Sequence, residues 1–136
     1  MIRAIKMEGV DYTTEDGRLV PNSELTLPPY PARAFAYCSD TAYSEDIVPI
    51  IQEVDLLYHE ATYLERHQKQ AAISMHSTAK QAASIAKQAG AKRLIIGHYS
   101  SRYLRVELLR EEAQEVFENT DLGIEGRSYI VPLEKS

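Results

Sequence analysis

Three short apolar runs, each followed at once by residues that can bind a metal or a phosphate, most constrain how this chain folds. The runs lie at residues 34–38, 54–58 and 93–97. A continuous apolar run this short, such as the Leu-Ile-Ile that precedes Gly97, is typical of a strand buried on both faces of a sheet. Such strands belong to sheets that helices cover, so the sequence predicts core strands of a layered fold.

The residues after these runs are candidate ligands. Asp40 follows the first run, His59 and Glu60 follow the second, and His98 follows the third. Chemistry in layered α/β folds gathers at the carboxyl ends of the strands, so neighbouring strands would bring these side chains to one rim. Carboxylate oxygens and imidazoles suit zinc or a similar divalent ion. Any one of these residues alone more often caps a loop, but three such strand ends together favour a site.

The segments between the runs predict helices. Thr78 and Gln81 have the spacing of a capping box, an alanine-rich face covers residues 79–89, and Gly90 ends the helix. A short helix over residues 44–53 and a longer one with apolar residues at 104–117 are also expected, with closing strands at 122–124 and 128–131. The alternation of strands and helices predicts an α/β fold.

Length and composition limit the architecture. At 136 residues the chain is expected to form one domain, residues 1–136, in which residues 1–33 are an irregular approach with a short hairpin at Asp16 and Gly17. The lone Cys38 excludes a disulfide framework. No stretch approaches the roughly 20 apolar residues of a membrane span, and the first residues lack a signal-peptide core, so no membrane partner and a cytoplasmic location are expected.

Net charge restricts the possible nucleic-acid contacts. The chain carries a formal charge of −5. A charge of this sign argues against binding nucleic acid through the whole surface, although a local basic patch or a metal can still do so.

Four short strings together resemble the C-terminal half of the ribonuclease Z family. They are residues 37–41 (Tyr-Cys-Ser-Asp-Thr), 59–62 (His-Glu-Ala-Thr), 76–78 (His-Ser-Thr) and 97–103 (Gly-His-Tyr-Ser-Ser-Arg-Tyr). The family consists of zinc-dependent endonucleases of the metallo-β-lactamase superfamily that remove the 3′ trailer from precursor tRNA. The resemblance implies the same activity and substrate, and an α/β fold that is the C-terminal half of a four-layer αββα sandwich.

The resemblance also implies metal ligands. Asp40 resembles the carboxylate that bridges two zinc ions, and His98 resembles a ligand of one of them. A carboxylate between two cations is stable only as the anion, and two metal ions can stabilise both the attacking and the leaving oxygen.

Roles toward the substrate follow from the same resemblance. His76 resembles the residue that contacts the scissile phosphate and protonates the leaving oxygen, and Glu60 resembles the group that orients it. Ser100 and Arg102 resemble a turn that binds substrate phosphate, where an arginine can contact two oxygens at once.

One part of the family pattern is missing from this chain. The sequence contains no His-x-His-x-Asp-His string, which supplies most of the family's zinc ligands. Asp40 and His98 are fewer than the three protein ligands usual for catalytic zinc, so the chain alone is expected to hold no tight zinc and to be inactive.

The missing half also affects the expected assembly. Phe35, Tyr37, Leu57 and Ile95 are candidates for a sheet face that nothing in this chain covers, so either a homo-oligomer or a separate N-terminal half is the expected partner. Two alternatives remain, namely another phosphodiesterase of the same superfamily and a non-catalytic module that associates with itself.

Overall fold

The computed structural model describes residues 1–131 and divides them into two compact units. The smaller unit is Met1–Pro31, and the larger begins at Ala32 and continues to the last described residue. That residues 1–136 act as one domain stays a prediction. None of the described residues belongs to a helix with the length and apolar character that a bilayer crossing requires.

The smaller unit contains the expected hairpin. Strand β1 (Tyr12–Thr13) pairs antiparallel with β2 (Leu19–Val20), and Gly17 adopts φ +83° in the turn between them. Two short helices flank the hairpin, α1 (Ile2–Met7) and α2 (Asn22–Leu25). The sequence analysis did not anticipate these helices, because neither is long enough to show helical periodicity.

The larger unit is built on a parallel sheet of four strands in the order β3, β4, β5, β6. These strands are β3 (Phe35–Cys38), β4 (Leu56–Glu60), β5 (Leu94–Gly97) and β6 (Thr120–Leu122). The three expected core strands are therefore neighbours, and all of them point the same way. Parallel order brings their carboxyl ends to one edge.

The strand expected at residues 128–131 is wrong, because this segment has no strand pairing. A side chain holds it instead: the Tyr129 hydroxyl donates to the Leu122 carbonyl and accepts from the Ile124 N–H. The phenol thereby bonds one main-chain group in the last residue of β6 and one just beyond it.

Three helices and two 3₁₀ turns connect the strands. They are α3 (Gln68–Ser74), α4 (Ala79–Ala89), α5 (Glu107–Gln114) and the turns Glu45–Ile47 and Glu65–His67. The helix expected to continue to Glu53 is wrong, since only the turn Glu45–Ile47 forms. Glu53 adopts φ +56° and its N–H donates to the Ala89 carbonyl, which is incompatible with a continuing helix.

Helix α4 covers one face of the sheet. The predicted capping box at Thr78 and Gln81 is present, and Gly90 ends the helix with φ +65°. The small side chains of α4 are fully buried in one cluster with Leu57, Leu94 and Ile96. A face of alanines lets the helix backbone approach the sheet closely, so this side of the sheet is closed.

The opposite face of the sheet is open. Phe35 is 57% and Tyr37 66% exposed, and the Tyr37 ring stacks on Tyr58 with centroids 4.6 Å apart. Together with Ile95 these residues line a groove of about 750 Å³. The expectation that Leu57 also belongs to this face is wrong, because successive side chains of a strand alternate and Leu57 faces the helices.

A glycine at the end of β5 leaves room for one of these aromatic rings. A Cβ atom at Gly97 would lie 2.2 Å from the Tyr58 hydroxyl. Any side chain at this position would displace the Tyr58 ring, so Gly97 is required where β5 runs into His98.

Candidate metal and phosphate site

The four candidate residues meet at the carboxyl edge of the sheet. Glu60 is the last residue of β4, His98 follows β5 directly, and Asp40 lies two residues beyond β3. His76 reaches the same edge from the loop between α3 and α4. One ligand atom from each residue lies within 4.8 Å of the other three. The parallel order of the strands explains this convergence.

Glu60 is the buried centre of the site, with no exposed surface. Its Oε1 accepts from the Thr41 N–H at 2.7 Å and from His76 Nδ1 at 2.8 Å. Its Oε2 accepts from the Thr62 hydroxyl at 2.6 Å and from the Ser77 N–H at 3.0 Å. Burial alone would raise the pKa of Glu60, but these donors outweigh it and hold the pKa below its usual value. Glu60 is therefore an anion tied to three loops.

His76 lies between the two carboxylates. Its Nδ1 is 2.8 Å from Glu60 Oε1 and 3.3 Å from Asp40 Oδ1. Its ring centroid lies 5.1 Å from that of His98 and 6.4 Å from that of Tyr63. Because Nδ1 faces carboxylate oxygens, it carries a proton, and Nε2 is the nitrogen available to a substrate.

Asp40 and His98 share an unusual backbone conformation. Their φ angles are +56° and +60°, in the left-handed region that side chains rarely adopt. The Asp40 side chain is 75% exposed, and His98 is also exposed. Strained backbone of this kind persists only where the surroundings enforce it, and it concentrates at functional sites. The two residues that the sequence analysis assigned to metal are thus held in strained turns that open toward solvent.

Ser100 and Arg102 lie in the loop after His98 and outside the four-residue group. The Ser100 N–H donates to the Thr62 carbonyl at 3.1 Å, which ties this loop to the end of β4. The Arg102 guanidinium carbon is 5.2 Å from the centroid of the Tyr63 ring. A cation over an aromatic face is held in place while its outer edge stays hydrated, so Arg102 is positioned and still exposed.

The sequence analysis missed the residues that organise this edge. Thr62 lies in the quoted His-Glu-Ala-Thr string but was given no role, although its hydroxyl contacts both Glu60 and His98. Thr41 and Ser77 act through main-chain N–H groups, which carry no residue-specific signal. Their positions directly after Asp40 and His76 were the only hint.

His59 lies in the interior and not at the metal group. Its Nδ1 is 2.7 Å from the Glu60 carbonyl, and its Nε2 contacts no hydrogen-bond partner within residues 1–131. Burial lowers the pKa of His59, so the ring is neutral. Its neighbour Glu60 is the member of the pair that faces the site.

The donor set fits a divalent metal such as zinc. It combines two carboxylates with two imidazoles, which are ligand types that zinc accepts. Both oxygens of Glu60 and Nδ1 of His76 are taken up by hydrogen bonds within the site, so the exposed Asp40 and His98 are the members best placed to bind a metal. The edge can therefore supply part of a metal's coordination.

Comparison with known proteins defines the class. Residues 8–99 match the family described as beta-lactamase superfamily domain. The chain belongs to this superfamily. Among solved structures, it is similar to the metallo-beta-lactamase fold protein YhfI from Bacillus subtilis, with a TM-score of 0.63 and 26% identity over 68% of this chain and 37% of that one. The α/β fold expected from the sequence is confirmed.

Relatives of this chain within the superfamily include proteins named ribonuclease Z. Ribonuclease Z of Porphyromonas gingivalis is 62% identical over 114 residues, which are 84% of this chain and 38% of that protein. Ribonuclease Z of Parabacteroides distasonis is 50% identical over 93% of this chain and 41% of that protein. The human tRNase Z, short form, has a TM-score of 0.53 and 30% identity over 71% of this chain and 31% of that one.

The resemblance to ribonuclease Z is therefore confirmed. The chain spans about two fifths of the length of the curated relatives it matches.

Proposed function

We propose that this chain is part of a zinc-dependent endoribonuclease that removes the 3′ trailer from precursor tRNA. One observation carries the proposal: Asp40, Glu60, His76 and His98 come from four segments to one edge of the sheet, with ligand atoms within 4.8 Å. The relatives named ribonuclease Z support the choice of substrate.

Asp40 and His98 would hold the metal. Both have exposed side chains at the mouth of the site, where further ligands and the substrate can reach them. Zinc bound there would polarise a phosphate oxygen and lower the pKa of bound water. A complete enzyme would hold two ions, and Asp40 would be a ligand that they share.

His76 and Glu60 would handle the proton. In the 2.8 Å contact between them His76 Nδ1–H donates to Glu60, and this fixes the plane of the imidazole, because the buried Glu60 cannot turn away from its other donors. His76 Nε2–H then donates its proton to the leaving oxygen of the cleaved phosphodiester. Glu60 is the positioning residue in this pair and does not touch the substrate.

Ser100 and Arg102 would bind substrate phosphate beside the metal. The loop that carries them begins at His98 and is tied to Thr62. The Arg102 side chain rests on Tyr63, whose ring in turn lies near His76. These contacts support a phosphate-binding role for Arg102 on the same side of the site as the proton donor, since a guanidinium can contact two phosphate oxygens.

The chain alone is expected to be inactive, and its open face is expected to have a partner. Phe35 and Tyr37 expose aromatic surface beside the groove. A contiguous apolar patch of this kind is covered in most soluble proteins. A second copy or a separate N-terminal half of the fold would cover it. Sedimentation at about micromolar concentration tests this, and a cooperatively melting monomer that binds no hydrophobic dye would contradict it.

The cytoplasmic location expected from the sequence stays a prediction.

A chimera tests the proposed activity. Ribonuclease Z of Porphyromonas gingivalis would receive the matched segment of this chain in place of its own, and cleavage of precursor tRNA would be measured with zinc. We expect cleavage at the trailer, and about 100-fold or greater loss in the His76→Asn chimera, because general acid catalysis contributes roughly that factor. A folded chimera that does not cut precursor tRNA would refute the proposal.

A further inference from the structure

Thr62 connects the buried carboxylate to the exposed candidate ligand. Its hydroxyl oxygen lies 2.6 Å from Glu60 Oε2, 2.9 Å from His98 Nδ1 and 2.9 Å from the His98 carbonyl oxygen. Its main chain joins two further loops, because its N–H donates to the Ser77 carbonyl and its own carbonyl accepts from the Ser100 N–H. Thr62 is buried, with 6% of its surface exposed. No other hydroxyl among residues 1–131 bridges Glu60 and His98.

The single proton of this hydroxyl decides which groups donate. Glu60 is an anion, and its 2.6 Å contact is the shortest of the three, so the Thr62 proton points to Glu60. If the proton pointed to His98 Nδ1 instead, an oxygen lone pair of Thr62 would face a buried carboxylate at 2.6 Å. That arrangement is repulsive in a site of low dielectric. The His98 carbonyl oxygen is the weaker second acceptor of the same proton, at 2.9 Å. With the proton directed to these two oxygens, a lone pair of Thr62 faces His98 Nδ1.

A lone pair at 2.9 Å requires a donor on the imidazole. We propose that Thr62 is a positioning residue that holds neutral His98 in the Nδ1–H tautomer, which leaves Nε2 unprotonated for a metal. The inference rests on the proposed function only for the role of His98 as a ligand. In this arrangement His98 Nδ1–H donates to the Thr62 hydroxyl, and the Thr62 hydroxyl donates to Glu60. The buried carboxylate therefore determines which nitrogen of the exposed ring can bind a cation. Partners of this kind orient ligating histidines and raise metal affinity.

The tautomer can be measured on this chain directly. The chain contains four histidines, so ¹⁵N-histidine labelling with a His98→Gln comparison assigns the His98 ring. Two-bond ¹⁵N–¹H correlation at about pH 8, above the ordinary titration range of histidine, distinguishes the two neutral tautomers. We expect Nδ1–H in the unmodified chain and a majority of Nε2–H in Thr62→Val. Thr62→Ser retains the hydroxyl and should restore Nδ1–H.

Because Asp40 and His98 alone are expected to bind zinc only weakly, the second readout is a titration with millimolar zinc of the unmodified chain, Thr62→Val and Thr62→Ser, followed by the ¹⁵N shifts of the His98 ring. The Kd for zinc should rise about tenfold in Thr62→Val and return toward the original value in Thr62→Ser. An Nε2–H tautomer in the unmodified chain overturns the proposal, and this result does not depend on whether the valine variant folds. An unchanged tautomer in a folded Thr62→Val chain overturns it as well.

The tautomer measurement and the chimera assay of the proposed function can fail independently of each other. An inactive chimera combined with an Nδ1–H tautomer that Thr62→Val abolishes would remove the nuclease proposal and leave the role of Thr62 intact. An active chimera combined with an Nε2–H tautomer would do the reverse.

Discussion

Glu60 and Asp40 are two carboxylates in one site, and their surroundings differ completely. Glu60 has no exposed surface and accepts from two main-chain N–H groups, a hydroxyl and an imidazole. The Asp40 side chain is 75% exposed, and its contact with His76 Nδ1 is 3.3 Å long. All of the donors of Glu60 come from this chain, so this half of the site is complete. Apart from this one long contact, no donor within residues 1–131 bonds the exposed Asp40 carboxylate, so its half is open to a ligand.

The comparison predicts a large difference in stability between matched amide substitutions. Glu60→Gln places an amide NH₂ against either the Thr41 N–H or the Ser77 N–H, whichever way it turns. Buried donors without an acceptor cost about 1–3 kcal/mol each, so the free energy of unfolding should fall by about 3 kcal/mol. Urea unfolding measures this, and a loss below about 1 kcal/mol would mean that the four contacts are not made.

Asp40→Asn is the matched control for that experiment. It makes the same chemical change on an exposed carboxylate, and asparagine tolerates the φ of +56° as well as aspartate does. The urea midpoint should stay where it is. A clear drop would show that Asp40 belongs to the folded core as Glu60 does, which would remove the contrast.

Arg102 is exposed, as Asp40 is, so its substitution should affect substrate binding and not folding. In the chimera, Arg102→Ala removes a charge-assisted phosphate contact worth about 1.5–3 kcal/mol, which corresponds to roughly a 10- to 150-fold loss in cleavage. Arg105→Ala is the control, since this nearby arginine is also exposed and was given no role. Equal effects of the two substitutions on cleavage would show that Arg102 acts only through general surface charge.

Acid should weaken the stabilisation that the buried Glu60 carboxylate gives to the folded chain. The pKa of Glu60 is lower in the folded chain than the ordinary value of 4.5, so its contribution to stability is present above about pH 4.5 and is lost as the pH falls through the folded pKa. The difference in unfolding free energy between the unmodified chain and Glu60→Gln should therefore shrink as the pH drops below about 4.5. Urea titrations at several pH values test this, and a difference that grows on acidification would reverse the assigned sign.

The sequence predicted the exposed ligands Asp40 and His98 better than the hydrogen bonds of the buried Glu60. His98 follows its apolar run directly and Asp40 follows its own by one intervening residue, so parallel pairing of those runs is sufficient to bring them together. The donors to Glu60 could not be predicted in the same way, because two of them are main-chain N–H groups whose direction depends on the loops at Thr41 and Ser77.

The same limit applies to the fold. Fully buried strands have no polar alternation, so nothing in the pattern of β4 assigns Leu57 to the helix side. The strand expected at residues 128–131 failed because the Tyr129 hydroxyl, and not strand pairing, bonds the main-chain groups at the end of β6. Apolar runs and capping residues identify elements, whereas a single side-chain contact decides what happens at their ends.

This chain supplies all of the hydrogen-bond donors to the Glu60–His76 pair, but only Asp40 and His98 as metal ligands. Zinc content after dialysis at neutral pH, measured by elemental analysis, tests it most directly. Both oxygens of Glu60 and Nδ1 of His76 are hydrogen-bonded within the site, and His76 Nε2 is assigned to the substrate. Asp40 and His98 are then the ligands that remain, and the account predicts no stoichiometric zinc in the chain alone. Two tightly held zinc ions per chain would contradict it.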